Sequence, residues 1–182
     1  MEAVSSRGAL GRRARGRLRE VERIPVALEH VRRRLAQSHS YWICSTRPDG
    51  RPHAMPVWGV WVADRFYFGT SPTSVKARNL LARPDVVVHL ESAEDLVVVE
   101  GVAEQPTAEQ LAAADAAYAA KYVLSQTGED CHLGRGQGPE PGLFAVRPIT
   151  MHTWVEQAFE ETMTRWTFGP DGQVTPQATH YP

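Results

Sequence analysis

The chain has 182 residues, 42% hydrophobic and 23% charged, a length and balance that suit one globular domain with a sizeable core. A formal net charge of −1 offers no global field for nucleic acid or a membrane surface, and no apolar run nears the roughly 20 residues of a membrane span. Two cysteines, Cys44 and Cys131, cannot build a disulfide framework, and the start lacks the apolar block of a secretory signal. A reduced, cytoplasmic protein is expected.

The first stretch is basic. Arg7, Arg12, Arg13, Arg15, Arg17, Arg19 and Arg23 outnumber Glu2, Glu20 and Glu22, and few large apolar residues interleave. A basic arm for an acidic partner is one reading; a disordered leader over residues 1–23 is the expectation, because so little apolar surface cannot order the segment. From Ile24 onward the pattern becomes that of a folded domain. Leu28, Val31 and Leu35 recur at helical spacing with Arg32, Arg33 and Arg34 between them, an amphipathic helix. Tyr41 to Thr46 is aromatic and β-branched, and Pro48-Asp49-Gly50 supplies the positive φ of a tight hairpin. Arg51 to Val62 is expected to return as one strand, and Phe66 to Thr70 to complete a three-stranded meander after a turn at Ala63-Asp64-Arg65.

A helix follows, for which Ser71 is the expected cap and Pro72 a first-turn residue; it stops before Pro84. Val86–Leu90 and Leu96–Ala103 are dense enough in apolar residues for central strands. Thr107 and Gln110 fit a capping box that opens an alanine-rich helix to about Val123. Ser125 to Gly142 reads as a glycine-rich loop, with last strands at Phe144–Arg147, Thr150–Val155 and Thr164–Phe168, and residues 169–182 as a tail. Strands arrive in consecutive runs rather than alternating with helices, which argues for an antiparallel sheet with flanking helices over residues 24–168.

The segment Thr70-Ser71-Pro72-Thr73-Ser74-Val75-Lys76-Ala77-Arg78-Asn79 sets four hydroxyl residues, then a lysine and an arginine, at a strand-to-helix junction. Unpaired amides and the partial positive charge of a helix start favour phosphate, and Lys76 and Arg78 add full charges. Only one other lysine, Lys121, occurs in the chain. On local physics alone the same segment also reads as an ordinary capped surface helix.

Thr46 to Trp58, including Met55-Pro56-Val57-Trp58, resembles the opening hairpin of the pyridoxamine 5′-phosphate oxidase-like superfamily, and Lys76-Ala77-Arg78-Asn79-Leu80 with Arg83-Pro84 resembles its phosphate-binding helix. Val97 to Gly101 is similar to its following strand. Arg147-Pro148, Trp154 and Thr164 to Phe168 are similar to the end of actinobacterial flavin/deazaflavin oxidoreductases. The resemblance implies a six-stranded antiparallel split β-barrel, mainly β with flanking helices, forming a homodimer with two cofactor sites at its interface. The cofactor it implies is FMN or coenzyme F420. Carried over by residue, Lys76 grips the phosphate with Ser74, Thr70 and Ser71, beside Val75 and Arg78, and Asn79 braces the loop. Met55, Pro56, Val57 and Trp58 line the ring, Phe68 and Gly69 pass beneath it, and Arg165 and Trp166 close the site from the neighbouring subunit. The resemblance to the vitamin-pathway enzyme itself implies more basic residues on the second strand, but Met55-Pro56-Val57-Trp58 has no lysine or arginine, which argues for a redox branch acting on a small substrate.

Other constellations are weaker. Seven histidines show no HxxxH or HExxH spacing, so no metal site is expected, although His53 would serve as a single axial ligand if the barrel bound heme. Gly134, Gly136 and Gly138 do not follow a βαβ start, and no Gly-x-Ser-x-Gly elbow occurs. A flavin- or deazaflavin-dependent oxidoreductase, a heme-binding or heme-degrading barrel, and a non-catalytic cofactor carrier remain the three readings.

Overall fold

The computed structural model describes residues 23–123, 128–129, 131–135 and 142–178. The basic leader, apart from Arg23, and most of the glycine-rich loop lie outside these. The described elements are α1 (Leu28–Gln37), β1 (Tyr41–Thr46), β2 (Pro52–Val57), β3 (Val60–Val62), β4 (Arg65–Thr70), α2 (Val75–Ala82), β5 (Asp85–His89), β6 (Asp95–Glu104), α3 (Ala108–Lys121), β7 (Gly142–Val155), a 3-10 turn (Glu156–Ala158), α4 (Phe159–Thr162), β8 (Thr164–Phe168) and β9 (Val174–Ala178).

Among the described residues nine antiparallel strands form one sheet, ordered β2-β1-β5-β6-β7-β4-β3, with β8 branching from β7 and β9 pairing with β8. The branch follows from the length of β7. One edge of this strand pairs with β6 from Ala145 to Val155; the other pairs first with β4 (Gly142–Val146) and then with β8 (Thr150–Thr153). The sheet thereby curls into a half-barrel of the split type.

Three expectations need correction. The returning strand 51–62 is broken at Trp58-Gly59, and its halves lie at opposite ends of the path, so no three-stranded meander exists. Residues 144–147 and 150–155 form one strand that passes Pro148 through a β-bulge: Glu100 pairs with Thr150 and Gly101 with Pro148, leaving Ile149 as the extra residue. A bulge tolerates a proline because the ladder is already interrupted there. Part of the expected tail is strand β9, paired with all of β8. These differences turn the eight strands expected from the residues into nine among the described residues, against the six that the resemblance implies, within the same fold class.

The Trp58-Gly59 break explains the curl. Val57 and Val60 are three Cα steps apart, which limits their separation to about 11 Å. The two ends of the sheet path must therefore meet. Gly59 makes the corner possible, since a Cβ there would fall 2.3 Å from the Phe66 ring and 2.6 Å from the Tyr67 carbonyl oxygen.

Alternation along each strand sorts side chains to two cores. Tyr41, Ile43, Phe66, Phe68, Val88, Val99, Val146 and Trp166 face the barrel interior, closed by Val31 and Leu35 of α1 and by Ala77 and Leu80 of α2. Tyr67, one residue out of phase with Phe66 and Phe68, joins Val60 and Ala145 on the outer face, which α3 covers through Ala114 and Tyr118. Each large apolar side chain so buried contributes roughly 1.5–3 kcal/mol. The amphipathic spacing of α1 and the Thr107–Gln110 capping box of α3 are as expected.

Because the clash at residue 59 involves backbone, Gly59→Ala is expected to lower stability by about 2–3 kcal/mol. Urea unfolding should show a lower midpoint with an unchanged slope.

Candidate functional site

β4 ends at Thr70, and the chain turns through Ser71–Ser74, closed by the Ser74 N–H on the Ser71 carbonyl at 3.0 Å, before α2 begins. The cap of α2 is Ser74, whose Oγ accepts the Ala77 N–H at 3.2 Å. Ser71 instead pairs with Thr73 Oγ1 at 2.9 Å, and Pro72 sits in the turn rather than the helix. The extra turn displaces the expected cap by three residues. Thr70 Oγ1 lies 3.2 Å from Ser74 Oγ, so strand end and helix start are tied together. With Ala77 capped, the amides of Val75 and Lys76 remain without an acceptor inside the helix.

A cavity of about 180 Å³ opens at this junction, lined by Pro56, Val57, Trp58, Gly69, Thr70, Lys76 and Tyr118. Six of the seven belong to the set expected from sequence, and they come from both sides of the sheet closure. Among the described residues, the Lys76 ammonium has no carboxylate and no hydrogen-bond acceptor, and burial pushes its pKa down. A half-buried cation with no counter-ion marks a place for an anion.

The remaining expected residues divide. Asn79 is 2% exposed and donates from Nδ2 to Ser45 Oγ at 3.0 Å, so it braces α2 against β1 rather than a loop. Val75 is the first residue of α2, half-buried at the helix start, and Arg78 points to solvent. Phe68 is wholly buried in the barrel core and cannot reach the cavity. Met55 lies 46% exposed on the edge strand β2, outside the cavity lining. Arg165 and Trp166 alternate on β8. Trp166 is 4% exposed and donates its indole N–H to Thr153 Oγ1 at 2.9 Å, so its ring belongs to its own core and not to a neighbour's site. Arg165 is exposed.

His53 pairs in register with Ser45, on the same face of the β1–β2 hairpin. Asn79 packs on Ser45, and Lys76 lies one helical turn before Asn79, which brings the lysine toward His53. Burial, followed by the charges of Arg47 and Lys76, pushes the His53 pKa down, and its Nδ1 is buried without a partner.

Sequence reasoning missed the support beneath Trp58. Its indole stacks on Tyr122, with centroids 5.0 Å apart and planes at 3°, and His39 meets both rings edge-on. Tyr122 Oη accepts the Gly59 N–H at 3.1 Å and donates to the His39 carbonyl at 2.7 Å. Lys121 donates to Tyr41 Oη at 2.7 Å and to the Gly59 carbonyl at 3.1 Å. Burial lowers the Lys121 pKa to about 8 and raises that of Tyr122 to about 12. Two signals were present: Lys121 is the only lysine besides Lys76, and Ala114, Tyr118 and Tyr122 recur at four-residue spacing.

A family model for pyridoxamine 5′-phosphate oxidase matches residues 27–164. The chain belongs to this family. No curated protein sequence matches it significantly. Among solved structures, a heme-binding protein from Mycobacterium smegmatis is similar at 20% identity with a TM-score of 0.58, over 85% of this chain and 59% of the other. The chain thus spans less than two thirds of that relative. An FMN-binding, pyridoxamine 5′-phosphate oxidase-related protein from Nostoc punctiforme is similar at 15% identity and TM-score 0.53, over 84% and 92%. General Stress Protein 26 from Bacillus anthracis is similar at 17% and 0.52, over 84% and 100%. At these identities the likeness is one of fold.

The Lys121 assignment has a pH signature. Unfolded, this lysine keeps its proton to its usual value near 10.5; folded, it releases it near 8, so between these values the unfolded chain binds more protons. Stability of the parent chain should therefore rise from pH 8 to pH 10 relative to Lys121→Met, read as the difference in urea midpoints across that range. Parallel pH profiles would contradict it.

Proposed function

We propose that the protein is a flavin- or deazaflavin-dependent oxidoreductase that holds FMN or coenzyme F420 by its phosphate at the start of α2. The carrying observation is the half-buried Lys76 ammonium, without a counter-ion among the described residues, in a cavity shared with Thr70. A phosphate fits this donor set: one full positive charge, the amides of Val75 and Lys76, and the hydroxyls of Thr70 and Ser74. Family membership and the FMN-binding relative support the reading.

A cavity of about 180 Å³ accommodates a phosphate but not a whole ring system, for which sites of roughly 300–1,000 Å³ are usual. The ring is therefore assigned to the open surface beyond it, along Pro56, Val57 and Trp58 with Met55 at the edge. Exposed apolar residues there, Met55 and Trp58 among them, suit a homodimer in which a second subunit covers the ring. Arg165, exposed on β8, remains available to that role. The cofactor supplies the two-electron hydride chemistry with a small substrate. This chain's residues bind the phosphate, keep the ring platform rigid through Tyr122 and Lys121, and exclude water beneath Trp58. Half-buried thiols at Cys44 and Cys131, with no disulfide, suit a cytoplasmic location.

The second reading is heme binding, favoured by the likeness to the Mycobacterium protein and by His53, whose pKa burial lowers and whose buried Nδ1 has no partner. The absorption spectrum of the purified protein, or of the protein after addition of FMN, F420 and hemin in turn, separates the two. Lys76→Ala is expected to weaken FMN or F420 binding by about tenfold to a hundredfold, the worth of a charge-assisted contact. Unchanged affinity for both would overturn the phosphate assignment.

A further inference from the structure

β4 carries a second cationic group at its other end, about 17 Å along the strand from Thr70. Arg65 and Arg147, on neighbouring strands, share one carboxylate: Arg65 Nη1 donates to Glu104 Oε2 at 3.1 Å, and Arg147 Nε to Glu104 Oε1 at 2.7 Å. Burial draws the Glu104 pKa up, but Arg147 and then Arg65 outweigh it, so the carboxyl stays ionised with a net downward shift. Two guanidinium groups against one carboxylate leave one positive charge over. Each guanidinium has five N–H donors and spends one on Glu104; among the described residues no other protein acceptor takes the rest.

Beside them lies a cavity of about 490 Å³ between the β3–β4 turn, the middle of β7 and the β8–β9 turn. Arg65 and Arg147 line it and Glu104 does not, so the carboxylate sits behind the arginines. Asp64 also lines it, but Arg32 holds both of its oxygens. The other walls are apolar: Pro148, Ile149, Phe168 and Pro170. Ile149 is the bulge residue, 44% exposed, and the bulge depends on Gly101, where a Cβ would lie 2.4 Å from the Arg147 carbonyl oxygen. The backbone thus turns an isoleucine outward beside two under-paired arginines, a combination with no evident use in packing.

We propose that this cavity is a binding site for a small amphipathic organic carboxylate, its carboxylate on the unspent N–H groups of Arg65 and Arg147 and its apolar body against Ile149 and Phe168. The pairing matches the fork geometry of guanidinium to carboxylate and places the apolar part out of water. The site shares no lining residue with the cavity at Lys76 and does not depend on the cofactor assignment.

Titration of the full chain with 1-naphthoate, followed by calorimetry and by amide chemical shifts, tests it. Saturable binding is expected, with shifts at Arg65, Ile149, Phe168 and Gly169. Arg147→Gln leaves Arg65 and Glu104 as a balanced pair and should weaken binding about tenfold. Ile149→Ser, which leaves the charges alone, should weaken it about threefold to tenfold. The uncharged 1-naphthalenemethanol and inorganic phosphate should each bind far more weakly. No saturation up to about 10 mM naphthoate, a weaker interaction than any useful site would show, would overturn the proposal. So would equal affinity in folded Arg147→Gln and Ile149→Ser, or shifts confined to Thr70 and Lys76.

Discussion

The whole arrangement hangs on a two-residue link. Trp58 and Gly59 must join strands at opposite ends of the hydrogen-bonded path, and so short a tether permits only a sheet that curls back on itself. Closure delivers Pro56, Val57 and Trp58 to the side of Gly69 and Thr70, and α2 then starts beside them with Lys76. The link is held from three directions: the phenol of Tyr122 on its backbone, the ammonium of Lys121 on its carbonyl, and the stacked indole of Trp58 above. None of these groups is part of the barrel interior. Lys121 and Tyr122 come from the end of α3, which explains why a helix on the outer face belongs to the site.

Electrostatics separate the two lysines. Lys121 is drawn down by burial, yet two oxygen acceptors and the faces of Tyr41 and Tyr122 surround it, so its charge is spent on holding structure. Lys76 is drawn down by burial too, but faces an open cavity with no acceptor among the described residues. The same residue type thus serves as a strut in one place and as an available charge in the other. His53 lies near the available one: burial first, then the charges of Arg47 and Lys76, draw its pKa down.

Family membership constrains less than it suggests. Relatives sharing this curl at 15–20% identity include one described as binding FMN and one as binding heme, so the fold is a frame on which different planar cofactors have been mounted. What this chain mounts on that frame is local: prolines and methionine on the second strand, a lysine at the start of α2, and a bulge that exposes Ile149.

Short-range chemistry was legible from the residues themselves. The hairpin at Pro48-Asp49-Gly50, where Gly50 takes φ of +86°, the capping box of α3, the amphipathic α1 and the dense central strands β5 and β6 all depend on neighbours a few positions apart. Lys76, Thr70 and Ser74 were legible for the same reason, since the strand-to-helix junction that groups them is local. Tertiary structure alone decided the rest. Whether 51–62 is one strand or two depends on Phe66 and Tyr67 crowding Gly59, and whether Trp166 faces a neighbour or its own core depends on the register of β8 against β7. Tyr118, Lys121 and Tyr122 lie some sixty residues from Trp58 and Gly59, and only closure of the sheet puts them underneath. Contacts of that range leave no periodic trace in a sequence, because each is set by packing between elements rather than by the conformation of either one.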